Sequence, residues 1–536
     1  MNEDKIWYEN IDDVPINQDG IKYYFYPVEP GETKKFRDEL ALQIVYFYRK
    51  LLKAGTSYSD EITASLFAII NEVLNIYFTL ILKNKLQKRN YQIVPDQHSR
   101  LLKKILYDHS PAYPKILNQL VSGKERLRKR YYFARIIRNF LTQKYIKKNY
   151  YKFPNLEKDI ISISIDPFLE EHAKYMDKKV YYVRINQWFK NLSIPNGKES
   201  DLNFITNSLS EIIIDQFKKN EIDLSDNLKL YFSEFISLLL RKLSIYKYSI
   251  INTEIGLPKT LWTPSGGGIF ANIFRQVCMS SGSKVVGHAH GSGTGFFSDY
   301  GRTLSILEYQ SCTDFYVYTK KSVNEYKKYV RKDLIINENL PEIKYIKGKT
   351  YWPYDRLRKI DTLLKFKNRE NYILYIPSIF IYDNYYDGNL IDAHTTYDWL
   401  LKISNFLKEN KFNFIIKLHP KKKAPLLFQN YYKNKISKKN LANSIKDAKL
   451  IITDQPSSTS FSASIVSNKP IIFIDFSVQK FTDNSWQLIN KRCNVLKGFK
   501  TKNGLEVDWK ILKKFILKPK TIFDQEFKNT YFENEN

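Results

Sequence analysis

The chain has 536 residues, 43% hydrophobic and 26% charged, which predicts a soluble globular protein of several domains and excludes collagen-like, low-complexity and largely disordered classes. Its three cysteines exclude a disulfide scaffold, no CxxC zinc pattern occurs, and the set fits a reducing cytoplasm. Lys and Arg number 85 against 56 Asp and Glu, a net charge of +29; either an anionic partner or an ordinary lysine-rich solvated surface accounts for it.

The start, MNEDKIWYENIDD, is acidic and polar and predicts no signal peptide. Residues 40–55 and 61–86 carry apolar residues at helical spacing. Within the second, SLFAIINEVLNIYFTLIL (65–82) has nearly the length of a membrane span, but Asn71, Glu72 and Asn75 interrupt it, so a buried helix is expected. The segment 123–152 is basic and aromatic and reads as an amphipathic helix with a solvated face, or as a patch for phosphate or lipid headgroups. Residues 1–150 are therefore expected to form a mainly helical region.

From 158 the rhythm becomes strand–helix–strand: DIISISID (159–166), a helix, KKVYYVRI (178–185), helices over 203–246, KTLWTP (259–264), a helix, SKVVGHAHG (283–291) and TDFYVYT (313–319). A second set follows a pattern-breaking linker near 340–370: NYILYIPS (371–378), FNFIIKLHP (412–420), LIITDQ (450–455) and PIIFIDF (470–476), again with helices between. Short apolar strands alternating with helices predict an α/β fold with two Rossmann-like parallel sheets, over 151–350 and 351–536. No internal repeat stands out in the sequence.

Open α/β sheets bind ligands at the carboxyl ends of their strands, so the loops after the strands are the candidates. His419-Pro420 follows FIIKL; proline stops the strand, and an imidazole there can hydrogen-bond a phosphate or ribose, or simply sit in a surface turn. Ser457-Ser458-Thr459-Ser460 opens a helix; hydroxyls cap helices, and a helix N-terminus also favours an anion. Ser265-Gly266-Gly267-Gly268 lets backbone approach a ligand closely, without the GK[ST] of a P-loop. His288 and His290 end a strand; one could be a general base, the pair could bind a metal with Asp299 as the nearest carboxylate, or both could be structural. Glu254 is a rival base, Asp454 reads as a helix-capping carboxylate, and Asp383, Asp387 and Asp392 lack EF-hand spacing.

The order strand–HP, then ANSIKDAKLIITD-x-x-SSTSFSASIVSNKPIIFID, resembles the nucleotide-binding domain of GT-B glycosyltransferases, in particular the group of CDP-glycerol polymerases, bacterial polysialyltransferases and capsular Kdo transferases. The resemblance covers roughly residues 370–480, less than a quarter of the chain. It implies that His419, Pro420, Ser457, Ser458 and Ser460 hold the donor's nucleotide phosphate; Ser378, ending the first strand of this set, is counted with them. It implies a cytidine-linked donor. By the same resemblance the loop Ser265–Gly268 holds acceptor or diphosphate. No cofactor and no metal is required if helix termini and lysines carry the phosphate charge.

The expectation is thus a cytoplasmic glycosyltransferase of surface polysaccharide or glycolipid synthesis that transfers a sugar or a polyol phosphate, with a nucleotide-sugar or other nucleotide-activated donor, a saccharide or lipid-linked acceptor, and an anionic membrane surface as a candidate neighbour. The competing expectations are a non-enzymatic anion- or nucleic-acid-binding α/β protein, for which no RNP, KH, zinc or helix-turn-helix signature exists, and a scaffold without a site.

Overall fold

The computed structural model describes residues 6–8, 30–88, 90–94, 146–148, 155–164, 167–185, 188, 199–264, 268–289, 295–337, 340–346, 371–377, 393–419, 424–454, 456, 458–501, 504–520 and 525–532. Its strands in chain order are β1 (Ile6–Tyr8), β2 (Gln92–Val94), β3 (Ile146–Lys148), β4 (Ile160–Ser162), β5 (Val180–Tyr182), β6 (Thr260–Thr263), β7 (Lys284–His288), β8 (Asp314–Val317), β9 (Glu342–Tyr345), β10 (Tyr372–Ile376), β11 (Phe414–Ile416), β12 (Ala448–Thr453), β13 (Ile471–Asp475), β14 (Asn494–Thr501) and β15 (Gly504–Val507).

Two large sheets result. One has seven strands in the order β3-β5-β4-β6-β7-β8-β9, all parallel. The other has six in the order β11-β10-β12-β13-β14-β15, parallel except for the β14–β15 hairpin. Strands buried on both faces must be apolar throughout, and YILYI and IIFID are buried at every residue. This is the expected α/β class with two doubly wound sheets. The sequence reading missed four of these strands. The edge strand β3 comes from the segment expected to be helical, and β9 from the expected linker. The hairpin β14–β15 lies in a stretch not assigned at all. Most of 123–152 and all of 347–370 lie outside the described residues.

The two sheets repeat one winding. From β4 the chain crosses by the helix Pro167–Tyr175 to β5 on one side, then returns to β6, β7 and β8 on the other. From β10 it crosses by Ala393–Glu409 to β11, then returns to β12, β13 and β14. The connection into β6 carries the helices Glu199–Lys219 and Asp226–Ile251; that into β12 carries Leu426–Tyr431 and Leu441–Asp447. β6 thus corresponds to β12 and β7 to β13. In each sheet the winding reverses beside its first strand, which opens a crevice between β4 and β6 and between β10 and β12.

The helices before the first sheet form a bundle with Glu199–Lys219 and Asp226–Ile251. Phe36, Leu40, Ile44 and Tyr48 of Pro30–Lys53 recur every four residues and are fully buried. Among the described residues Ser59–Lys88 is long and apolar enough to cross a membrane, and two thirds of its apolar window is buried inside the protein. The charged residue at its centre has a partner there: Glu72 accepts from the Tyr231 hydroxyl at 2.5 Å. At its start, Lys247 pairs with Asp60 and Glu61, both at 3.1 Å.

The sheets are joined through the loops that leave two corresponding strands. Phe297, beyond β7, forms an antiparallel bridge with Phe481, beyond β13. Ser298 N–H donates to Lys480 O at 2.8 Å, and Thr482 N–H donates to Phe296 O at 3.1 Å, with Ser485 Oγ adding a 2.7 Å bond to the same carbonyl. Lys34 clasps both loops, through Asp299 at 3.3 Å and Val478 O at 2.8 Å. Phe296 is fully buried among Phe461, Phe527, Tyr531 and Phe532, and the carbonyl of Thr530 accepts from Thr319 on the first domain's side. Gly295 enters this joint with φ +83° and with Ser322 and Tyr326 in contact range of a Cβ, a conformation that suits glycine. Truncating the ring at the centre, Phe296→Ala, is expected to destabilise the chain by about 3–5 kcal/mol, the cost of a buried aromatic replaced by a cavity. Calorimetric unfolding of the variant checks this; a loss below 1 kcal/mol would mean that the joint is not a cooperative part of the core.

Candidate functional site

In the C-terminal sheet, Tyr375 of β10 pairs with Ile416 of β11 and with Ile452 of β12. The chain therefore leaves all three strands at one level, and His419, position 378 and position 455 each lie three residues beyond that register. Adjacent strands are about 4.8 Å apart, so the exits of β11 and β12 are roughly 10 Å apart with β10 between them. His419 is half-buried at the first exit. At the other, β12 ends on Thr453, and a helix follows over Thr459–Ile465. Its N-cap is Ser458, whose Oγ accepts from the Phe461 N–H at 3.2 Å and contacts the Ser460 hydroxyl. Lys417, between β11 and His419, is half-buried, and the cost of desolvating its charge lowers its pKa.

Asp454 does not cap this helix. It is buried and takes hydrogen bonds from the Tyr375 hydroxyl at 2.7 Å and the Trp399 indole N–H at 2.6 Å. Burial, then the Asp454 carboxylate, drive the Tyr375 pKa upward, so the phenol remains a donor. The acid thus locks β12 to β10 and to the helix Ala393–Glu409. Behind the serine helix, buried Arg492 donates to the carbonyls of Ile465, Ser467 and Lys469 and fixes the helix's far end.

The N-terminal sheet places its candidates less uniformly. Gly268 is the N-cap of Ile269–Ser280 and, having no side chain, makes no side-chain cap bond. Glu254 lies exposed in the turn that enters β6, at the sheet's amino edge and so on the far side from the crevice. Asp299 is engaged by Lys34 and by the Lys480 N–H in the joint between sheets. Among the described residues no group of three His, Cys, Asp or Glu could hold a metal ion. His290, Pro420, Ser265, Gly266, Gly267, Ser378 and Ser457 lie outside the described residues, as do Asp383, Asp387 and Asp392.

Of the readings open for His288, general base, metal ligand or structural residue, its surroundings match the structural one. It is fully buried, with Nδ1 at 3.1 Å from Thr263 O and Nε2 at 2.8 Å from Nδ1 of His172. A carbonyl only accepts, so His288 Nδ1 carries the proton, and His172 Nδ1–H donates to His288 Nε2. His172 is in turn stacked on Trp262 at 4.2 Å. Burial lowers both imidazoles, His288 to about 4 and His172 to about 2. Sequence spacing could not reveal this, because the partner is 116 residues away.

Four polar atoms also escaped the sequence reading. Thr263 Oγ1 and Thr453 Oγ1, at the ends of β6 and β12, are buried without a hydrogen-bond partner. So are Asn272 Oδ1 and Ser462 Oγ, each in the first turn of the helix that follows. The sequence does hold a signal for them, a threonine five residues before the cap and nine before the second polar residue, in both loops.

No family model matches this chain, and no curated protein matches it. A solved structure titled as a glycosyltransferase from Rickettsia africae ESF-5 aligns with 12% identity and a TM-score of 0.27, over 69% of this chain and 84% of that one. The fold assignment stands on the strand orders and the crossovers.

The histidine pair makes stability depend on pH with a definite sign. Folded, both rings stay neutral down to about pH 4, whereas the unfolded chain takes up their protons below about pH 6.5. Their contribution is present above about 6.5 and is lost as the pH falls, by about 1.4 kcal/mol per pH unit for each ring. The melting temperature is expected to fall between pH 7 and pH 5, and less steeply in His172→Phe. Parallel profiles for the two proteins would show that the buried pair is not neutral in the native state.

Proposed function

We propose that the chain is a glycosyltransferase that uses a nucleotide-activated donor, seated across the carboxyl edge of the C-terminal sheet. The observation that carries this reading is the common exit level of β11, β10 and β12, which sets His419 and the Ser458-capped helix on either side of one crevice at the point where the winding reverses. A diphosphate or phosphate ester placed there meets the N–H groups of the serine helix and an imidazole donor, with Lys417 beside it. The wider assignment, a cytidine-linked donor and a product destined for surface polysaccharide or glycolipid, rests on the resemblance of the HP and serine motifs. With it go cytoplasmic placement, attachment at the inner membrane face, and a saccharide or lipid-linked acceptor.

In the reaction, the acceptor hydroxyl loses its proton to a base and its oxygen bonds the anomeric carbon. The bond from that carbon to the phosphate oxygen breaks, and the nucleotide leaves with the electron pair. The helix N-terminus and His419 stabilise the charge on the departing phosphate. His290 is the base favoured by position, since His288 is engaged on both nitrogens and Glu254 is at the opposite edge. His290 follows β7 by two residues and precedes the joint that brings the two carboxyl edges together.

A thermal-shift panel of CMP, CDP, UMP, UDP, GDP and ADP on the full chain is expected to single out one nucleotide, with about 2.7 kcal/mol of stabilisation at 100 times its Kd. Ser458→Ala should weaken that nucleotide by about 0.5–2 kcal/mol, the worth of one cap-type hydrogen bond. His419→Ala should also weaken it, and His290→Ala should leave affinity intact while slowing transfer by about 10²–10⁴. Stabilisation by no nucleotide, together with salt-sensitive retention on DNA, would replace this reading with non-enzymatic anion binding.

A further inference from the structure

The helix Trp509–Leu517 has a face that neither the sheets nor the joint use. Residues 509–520, WKILKKFILKPK, hold five lysines and no acidic residue. Asp508 caps the helix, accepting from the Lys510 and Ile511 N–H groups at 2.9 and 3.0 Å. One side of it is anchored. Leu512 and Ile516 are buried in the core of the C-terminal sheet, and Phe515 packs against that core. The Trp509 ring lies 4.9 Å from Phe406 and 5.7 Å from Trp399. These anchors recur at helical spacing, so the helix is held in one rotation about its axis.

The opposite side carries Lys510, Ile511, Lys513, Lys514 and Leu517, followed by the C-cap Lys518, all exposed. At about 100° per residue the five helical positions fall within one arc of roughly 160°. Ile511 is 39% and Leu517 62% exposed. None of these four lysines has an ion pair or a side-chain hydrogen bond among the described residues. Other lysines of this half find carboxylates: Lys402 holds Asp398 at 3.0 Å and Glu506 at 2.8 Å, and Lys491 holds Glu526 at 3.0 Å.

Unpaired lysines alone make a solvated surface, and single exposed aliphatic residues are ordinary. Together on one face they select a partner. Four ammonium groups with no carboxylate between them match an array of negative charge. Aliphatic side chains set among them gain only where that array adjoins an apolar layer. The headgroup boundary of an anionic bilayer supplies both, whereas single-stranded nucleic acid is held by aromatic stacking, for which this face has no exposed ring. We infer that the exposed face of Trp509–Leu517 docks the chain on an anionic phospholipid surface, with the lysines at the headgroup phosphates and Ile511 and Leu517 entering the acyl boundary. This rests on the membrane attachment included in the transferase reading and gives that attachment a surface.

The test is co-sedimentation of the full chain with two kinds of vesicle, phosphatidylcholine alone and equal parts of phosphatidylcholine and phosphatidylglycerol. Binding is expected on the anionic vesicles only. A lysine near such a surface is worth about fivefold, so Lys510→Gln/Lys514→Gln should weaken binding roughly 25-fold with the melting temperature unchanged. Leu517→Gln, which leaves the charge as it is, should weaken it about tenfold. Lys218→Gln/Lys219→Gln removes the same charge from exposed positions of Glu199–Lys219 and should leave binding unchanged. The inference is overturned by equal binding to the two kinds of vesicle or by no binding. Equal weakening in the Lys218/Lys219 variant also overturns it, because net charge alone would then be acting. So does full binding in Leu517→Gln, which would leave a purely electrostatic surface of the kind that holds nucleic acid. Vesicle binding without any nucleotide stabilisation in the thermal-shift panel would remove the transferase reading and keep this surface.

Discussion

The short antiparallel bridge between Phe297 and Phe481 is the constraint on which the rest of the architecture turns. Each backbone hydrogen bond of such a bridge contributes only about 0.5–1.5 kcal/mol net. Its consequence is geometric. Phe297 lies in the loop beyond β7 and Phe481 in the loop beyond β13, and those strands hold the same place in two sheets of the same winding. Joining corresponding loops sets the two carboxyl edges against each other. A parallel sheet exposes its helix N-termini along that edge, so the joint brings two sets of anion-attracting groups to one cleft before any catalytic side chain is considered.

The joint is over-determined, which sets the scale of domain motion the protein can have. Lys34 comes from the N-terminal helical bundle and holds both loops, and Phe296 is enclosed by rings from the C-terminal helix Glu526–Tyr531 and its neighbour Phe532. Rotation of one sheet against the other requires the Lys34 contacts and the Phe296 cluster to shift together. Small hinge movements about the bridge cost little because Lys34 is only partly buried and a lysine stem is flexible. Large opening exposes the aromatic cluster and costs several kcal/mol. The joint therefore resists large rotation of one sheet against the other.

The sequence was legible where one local rule decided the outcome. Apolar runs such as IIFID and YILYI can only be buried parallel strands, and Ser458 announces a helix start by its hydroxyl and its place after Pro456. β3, β9 and the β14–β15 hairpin were missed for a physical reason: β3, β9 and β15 are edge strands, β14 pairs with one, and EIKY or NVLKGFKT lacks a continuous apolar run. The roles of His288, Asp454 and Asp299 depend on partners far along the chain: His172, Tyr375 with Trp399, and Lys34. A histidine near a glycine-rich loop invites a catalytic reading, but the distance to a second buried histidine is a tertiary fact. The repeat of winding was equally hidden. It resides in strand order and loop length, and the two halves achieve it with different residues, glycines at one cap and serines at the other.

That difference between the caps bears on how each helix start is satisfied. A serine cap occupies one N–H of its helix, as Ser458 does with Phe461. A glycine cap has no side chain and occupies none. Behind both caps stands a threonine whose hydroxyl is buried and unpaired, an arrangement that costs about 1–3 kcal/mol per site and that valine would remove without changing the volume. The same cost recurs at the same register of two sheets whose caps are built from different residues.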